Sequence, residues 1–316
     1  MNLLPLLTLL PRLPRLPRLP RLPSPPGLCL PSAQGLRSSS ALLRATALDL
    51  AILAGHVLFY PTGLTPERRR ATPGIEQDLD ALPPGVAALT PAREDDRPPV
   101  VLLHGFIDNR SVFVLLRRSL ARHGRHQLES LNYSPLTCDI RAAAELLGRH
   151  VEEICERTGH RRVDVVGHSL GGLIARYYVQ RLGGDHRVRV LVTLGTPHGG
   201  TAVAPPASAH PIVRQMRAGS DFIEELRTPA PGCRTHFVAF WSELDRVMVP
   251  VRTACIDHPD LDAENVRVTG IGHLALPVHP AVAARIRQVL DSPGSTATAG
   301  DIAGITGRAT GGATVA

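Results

Sequence analysis

Few folds accommodate a strand that ends in Gly167-His168-Ser169-Leu170-Gly171 and passes at once into a helix. The preceding run, Val163-Asp164-Val165-Val166, is apolar and β-branched. The following run, from Leu170 to Leu182, is helix-forming. Glycines on both sides of the serine remove Cβ atoms where strand and helix must approach closely, which leaves the serine at a sharp turn with its Oγ exposed. Gly-x-Ser-x-Gly alone is a weak signal, because both residue types are common in turns. The strand before it and the helix after it favour a nucleophile elbow over an ordinary β–α turn.

The remainder of the chain supplies the sheet that such a turn needs. Val100-Val101-Leu102-Leu103 is a short, wholly apolar run, as in a strand buried on both faces. Helical spacing follows over 111–122, a strand near 128–133, and a helix capped by Asp139 that runs to about Arg157. Further strands are predicted at 187–194, 234–241 and 265–268, with short helical patterns at 212–217 and 222–226 and a closing helix at 281–290. This alternation predicts an α/β fold, a mostly parallel sheet with helices on both faces. Ligands bind such sheets at the carboxyl ends of the strands. The loops 104–106, 167–171, 195–201, 242–247 and 270–274 all fall at that end.

Outside this region the chain changes character. Residues 1–40 hold Pro-Arg-Leu repeated four times between Pro11 and Leu22, where proline at every third position excludes helix and central strand. They make a poor signal peptide, so the leader reads as a linker, a degenerate export signal or an upstream start. Secretion or association with the cell envelope is the favoured expectation, with a cytoplasmic location as the alternative. The net charge is +7, with no lysine, and five arginines of the leader account for most of it, leaving +2 on residues 41–316. With few aromatics as well, nucleic acid is a poor expectation as partner. Residues 41–60 read as a helix of nearly membrane-spanning length, with Ser38–Ser40 as its cap and Pro61 with Gly63 as its end. Arg44, Asp49 and His56 give it a polar stripe, which fits an amphipathic helix lying on the protein or at a lipid interface better than one crossing a bilayer. Residues 291–316, rich in Gly, Ala, Thr and Ser, read as disordered. The five cysteines show no C-x-x-C spacing, which gives no support to a zinc site; Cys233 and Cys255 either pair or remain buried thiols. Oligomeric state is not legible.

A serine hydroxyl becomes a useful nucleophile only when a base removes its proton, and the base needs an acid to orient it. Asp245 follows a predicted strand downstream of Ser169, and His273 follows the next, within Gly270-Ile271-Gly272-His273. The order Ser, Asp, His is that of the elbow-bearing sheet proteins. Glu243 is the alternative acid, while Asp257 and Asp262 read as solvent or cap residues. His258 and His279 lack the glycine-flanked setting of His273. The backbone N–H groups of Leu170 and Phe106 are the candidate oxyanion donors. His168 and His198 read as packing or hydrogen-bonding residues.

At Val100–Phe106, Leu131–Leu136, Val163–Gly172, Leu194–Thr201, Trp241–Pro250 and Leu58–Leu64 the chain resembles the α/β-hydrolases, and among them the actinobacterial-type triacylglycerol lipases and esterases. The resemblance spans about residues 41–290, with 202–233 a candidate lid or cap insertion. It implies hydrolysis of carboxylic esters, lipids among them, with Ser169, Asp245 and His273 as triad and with no cofactor; a metal is disfavoured because no His/Asp cluster has ligand spacing. Acyl transfer to another alcohol, and non-catalytic lipid binding on the same fold, are the alternatives.

Overall fold

In a computed structural model, the described residues are 33–64, 97–106, 108–133, 139–292 and 313–315. The chain divides into Met1–Ser38, described only over 33–38, and Ser39–Ala316. The second unit holds a wholly parallel sheet in the order β2-β1-β3-β4-β5-β6-β7. Its strands are β1 (Val100–Leu103), β2 (Leu128–Leu131), β3 (Val163–His168), β4 (Val188–Leu194), β5 (His236–Ser242), β6 (Asp262–Val268) and β7 (Ala313–Val315). The helices are α1 (Ala33–Leu64), α2 (Val114–Arg122), α3 (Ile140–Thr158), α4 (Leu170–Arg181), α5 (Pro211–Gln215), α6 (Asp221–Glu225) and α7 (Pro280–Asp291).

Alternation along the strands divides the core into two layers. Val101, Leu103, Val165, Leu191 and Phe237 point to the face covered by α3 and α4. Val100, Leu102, Val166, Val192, Val238 and Phe240 point to the face covered by α2 and α7. Helix α3 buries Ile140, Ala143, Ala144, Leu147, Val151 and Ile154, the three-and-four spacing of one apolar stripe. Asp139 caps it, its carboxylate accepting from the Ala142 N–H at 2.8 Å, and Gly159 ends it in the left-handed conformation. Helix α4 has no such stripe, since ten of its residues are buried, as expected of a helix enclosed between the sheet and the 202–233 insertion.

The insertion packs downward. Ile212, Phe222, Ile223 and Leu226 join the α3/α4 core, Phe222 stacks on Tyr177, and Arg141 pairs with Glu225 at 2.6 Å. At the start of β3, remote from the elbow, the fully buried Asp164 accepts from Arg189 at 2.7 and 2.9 Å and from Arg125 at 3.2 Å. Both guanidinium groups also donate to the Leu290 carbonyl at the end of α7. Central strands and the closing helix are thereby tied together.

Two expectations need correction. Helix α1 begins at Ala33 and runs to Leu64, so Ser38–Ser40 lie inside it rather than capping it, and Pro61 is accommodated in its last turns. Ala33, Gln34, Leu36 and Arg37 are good helix formers, and a proline near the end removes few backbone bonds. Residues 313–315 of the tail are a strand: Ala-Thr-Val adds parallel to Val266–Val268, which would otherwise be an edge. Cys155, Cys233 and Cys255 are free thiols, while Cys29, Cys138 and the Pro-Arg-Leu repeats lie outside the described residues. Among the described residues no helix is long and apolar enough to cross a membrane. The buried face of α1 carries Ala45, and Ile52 packs on the α2/α7 core.

Candidate active site

Ser169 is the single described non-glycine residue with positive φ (φ 52°, ψ −117°). Its backbone is pinned on both sides. Its N–H donates to the Leu194 carbonyl at 2.9 Å, and its carbonyl accepts from the Gly172 N–H at 3.1 Å and the Thr196 hydroxyl at 2.9 Å. A side chain on Gly171 would collide with the Leu103 carbonyl, so α4 can start this close to β1 only with glycine there. Leu170 is the first residue of α4, where backbone N–H groups have no partner within the helix.

Asp245 and His273 meet although they leave different strands. His273 Nδ1 lies 2.7 Å from Asp245 Oδ2, and both side chains are buried. The other carboxylate oxygen, Oδ1, accepts from the Val247 N–H at 2.8 Å and the Met248 N–H at 3.0 Å, which fixes the carboxylate plane. The loop after β6 must reach back across the sheet toward β3, since neighbouring strands are about 4.8 Å apart. Gly195 makes room at the end of β4, because a Cβ there would stand 2.9 Å from His273 Nδ1. Ser242 holds the returning loop, its hydroxyl donating to the Ile271 carbonyl at 2.6 Å.

The electrostatics polarise this pair. Burial opposes the His273 imidazolium, yet Asp245, with Asp108 and Asp49 farther off, more than offsets it and holds His273 above the ordinary histidine value. For Asp245 burial pushes upward, but His273 and the Val247 and Met248 amides leave its carboxyl below the usual range.

The His104–Phe106 segment lies across from the elbow. A Cβ on Gly105 would come within 3.5 Å of Ser169 Cβ. The Tyr133 hydroxyl donates to the His104 carbonyl and its ring stacks on His104, with centroids 4.3 Å apart. Among the described residues neither the Phe106 nor the Leu170 N–H donates to a protein acceptor. The Phe106 ring meets the His210 ring of the insertion edge-on at 5.4 Å. Val203, Val247 and Val249 are exposed by 48, 36 and 40%, and the Val247 loop bonds Asp245. Thr201 joins the two loops that carry them, donating to the Val247 carbonyl at 2.6 Å and accepting from the Val249 N–H at 3.3 Å.

The competing candidates are engaged elsewhere. Glu243 pairs with Arg267 at 3.2 Å on the exposed side of the strand ends. His258 lies 3.1 Å from the Thr228 carbonyl, and His279 precedes α7 as its N-cap. His198 contacts Thr193 at 3.0 Å, and burial holds it well below the ordinary value, hence neutral. His168 is buried with Nδ1 3.2 Å from Asp108 Oδ2, its ring centroid 4.9 Å from that of His273. Asp108 and Tyr133 escaped the sequence reading, because an acid beyond a glycine loop and a tyrosine after a strand have many uses. Among the described residues no group of three His, Cys, Asp or Glu side chains is arranged to hold a metal.

Residues 98–222 match the family model described as alpha/beta hydrolase fold. A triacylglycerol lipase of Burkholderia plantarii is 32% identical over 134 residues, which cover 40% of this chain and 36% of that protein. The chain therefore matches only about a third of that relative's length. The mature form of the Bacillus licheniformis lipase BlEst2 superposes with a TM-score of 0.52 at 17% identity, over 61% of this chain and 92% of the other. Aspergillus fumigatus lipase B gives 0.55 at 16% identity, over 63% and 53%. This chain has the α/β-hydrolase fold and resembles lipases and esterases.

Proposed function

We propose that this α/β-hydrolase-fold chain is a serine hydrolase of carboxylic esters, with lipid esters as its substrate class. The observation that carries the reading is the buried Asp245–His273 pair at 2.7 Å, behind a serine held at positive φ. In this reading Ser169 Oγ attacks the acyl carbon as its proton passes to His273 Nε2. Asp245, bound to Nδ1, fixes the imidazole tautomer and stabilises the imidazolium. The tetrahedral oxyanion accepts from the Leu170 and Phe106 N–H groups, each worth about 3–4 kcal/mol of barrier. His273 then gives its proton to the departing alcohol as the carbon–oxygen bond breaks, leaving the acyl group on Ser169. Water attacks the acyl-enzyme with the roles reversed. The exposed Val203, Val247 and Val249, on loops joined to each other and to Asp245, favour an acyl chain over a polar substituent, in keeping with the lipase relative.

Hydrolysis of nitrophenyl esters of increasing chain length tests this directly. The expected result is turnover that rises with chain length and disappears in Ser169→Ala. Equal turnover by Ser169→Ala would overturn the nucleophile, and an optimum at acetate would remove lipids from the substrate class.

A further inference from the structure

Helix α1 contributes a side chain to the neighbourhood of His273. Asp49 lies two turns beyond Leu42 on the face that also carries the buried Ala45 and the packed Ile52. Its Oδ1 accepts from the Ala275 N–H at 3.2 Å. A Cβ on Gly272 would fall inside the Asp49 carboxylate. One carboxylate thus bonds the backbone of the histidine loop at Ala275 and fills the space that glycine leaves at 272.

We propose that Asp49 is a positioning residue for His273: it clamps the 272–275 loop from outside the sheet and supplies one of the negative charges that face the imidazolium. The inference rests on the reading of His273 as general base. Four titratable groups surround His273, each from a different element: Asp245 after β5, Asp108 after β1, His168 at the end of β3, and Asp49 on α1. Burial holds His168 down, so it is neutral and adds no charge. Burial pushes the Asp49 carboxyl up, opposed by His273 and by the Ala275 amide. Its charge and the His273 charge therefore support each other, in addition to the mechanical clamp.

The two parts of the role separate in the full-length chain. Asp49→Asn keeps the shape and one acceptor oxygen but loses the charge. The acid limb of its kcat/KM profile on a nitrophenyl ester is expected about 0.5–1 pH unit below wild type. Asp49→Ala also releases the loop, with kcat falling about 10- to 100-fold and KM little changed. Gly272→Ala introduces a Cβ against the carboxylate and should lower kcat in the wild-type background. In the Asp49→Ala background, where the space is open, the same substitution should cost several-fold less. An unshifted acid limb in Asp49→Asn, or additive effects of Asp49→Ala and Gly272→Ala, would overturn the proposal. Activity surviving in Ser169→Ala would instead remove the serine-hydrolase reading, so the two failures are distinct. Should Asp49→Ala not fold, the pH profile of Asp49→Asn decides.

Discussion

Replacing Ser169 by glycine should yield a chain that is inactive yet more stable than the alanine variant. At φ 52° and ψ −117° a residue with a Cβ pays about 1–3 kcal/mol of conformational strain, and neighbours must hold it there. Those neighbours are visible: Leu194, Gly172 and Thr196 all bond the Ser169 backbone. Alanine keeps the Cβ and so keeps the strain, whereas glycine adopts this region without it. Against that gain, glycine loses about 0.5–1 kcal/mol through the larger entropy of its unfolded chain. The net expectation is that Ser169→Gly exceeds Ser169→Ala by about 1 kcal/mol, or about 2–4 °C in Tm for a domain of this size. Both variants lack the hydroxyl, so loss of its contacts cancels in the comparison. Urea unfolding followed by circular dichroism, with midpoints compared at equal m-values, measures the difference. An alanine variant as stable as the glycine variant, or more so, would refute strain at the elbow.

The charges set further measurable outcomes. Since His273 must be neutral to accept a proton and its environment holds it above the ordinary histidine value of about 6.5, kcat/KM should rise with pH through a midpoint above that value. Asp245→Asn should move the limb down and cut kcat by about 10³–10⁴; a midpoint at or below that of free histidine in the wild type would contradict this. The stability carried by the raised His273 pKa has the opposite sense: it is complete below about pH 6.5 and fades as pH rises through the folded value. At the other end of β3, Asp164→Ala would leave the Arg125 and Arg189 guanidinium groups without their shared carboxylate. A loss of about 3–5 kcal/mol is expected, seen as a lower urea midpoint with kcat unchanged in the folded fraction.

Sheet, elbow and strand-end loops were legible because each has a local cause. Buried parallel strands are apolar throughout, Asp139 and Gly159 punctuate α3, and glycines mark the points where chain segments nearly touch. Asp245 and His273 were legible as a candidate pair because each lies in the loop after a strand. Asp49 was legible only as part of a polar stripe, since a stripe says which face is polar and not what it meets. Likewise nothing local distinguishes Asp108 or Tyr133, whose partners His168 and His104 lie 60 and 29 residues away. The start of α1 was misread because three serines look like a cap, although the residues before them are equally able to form helix.

The bond from Asp49 to the Ala275 N–H joins positions 226 residues apart in the chain. During synthesis at about 5–20 residues per second, α1 leaves the ribosome tens of seconds before the loop it will hold exists. Through that interval Asp49 waits without its loop, and Ser169, made later than Asp49, still precedes His273. Ordering of the histidine loop is thus postponed until β6 has been made, and a nascent chain bearing the serine lacks the proposed base.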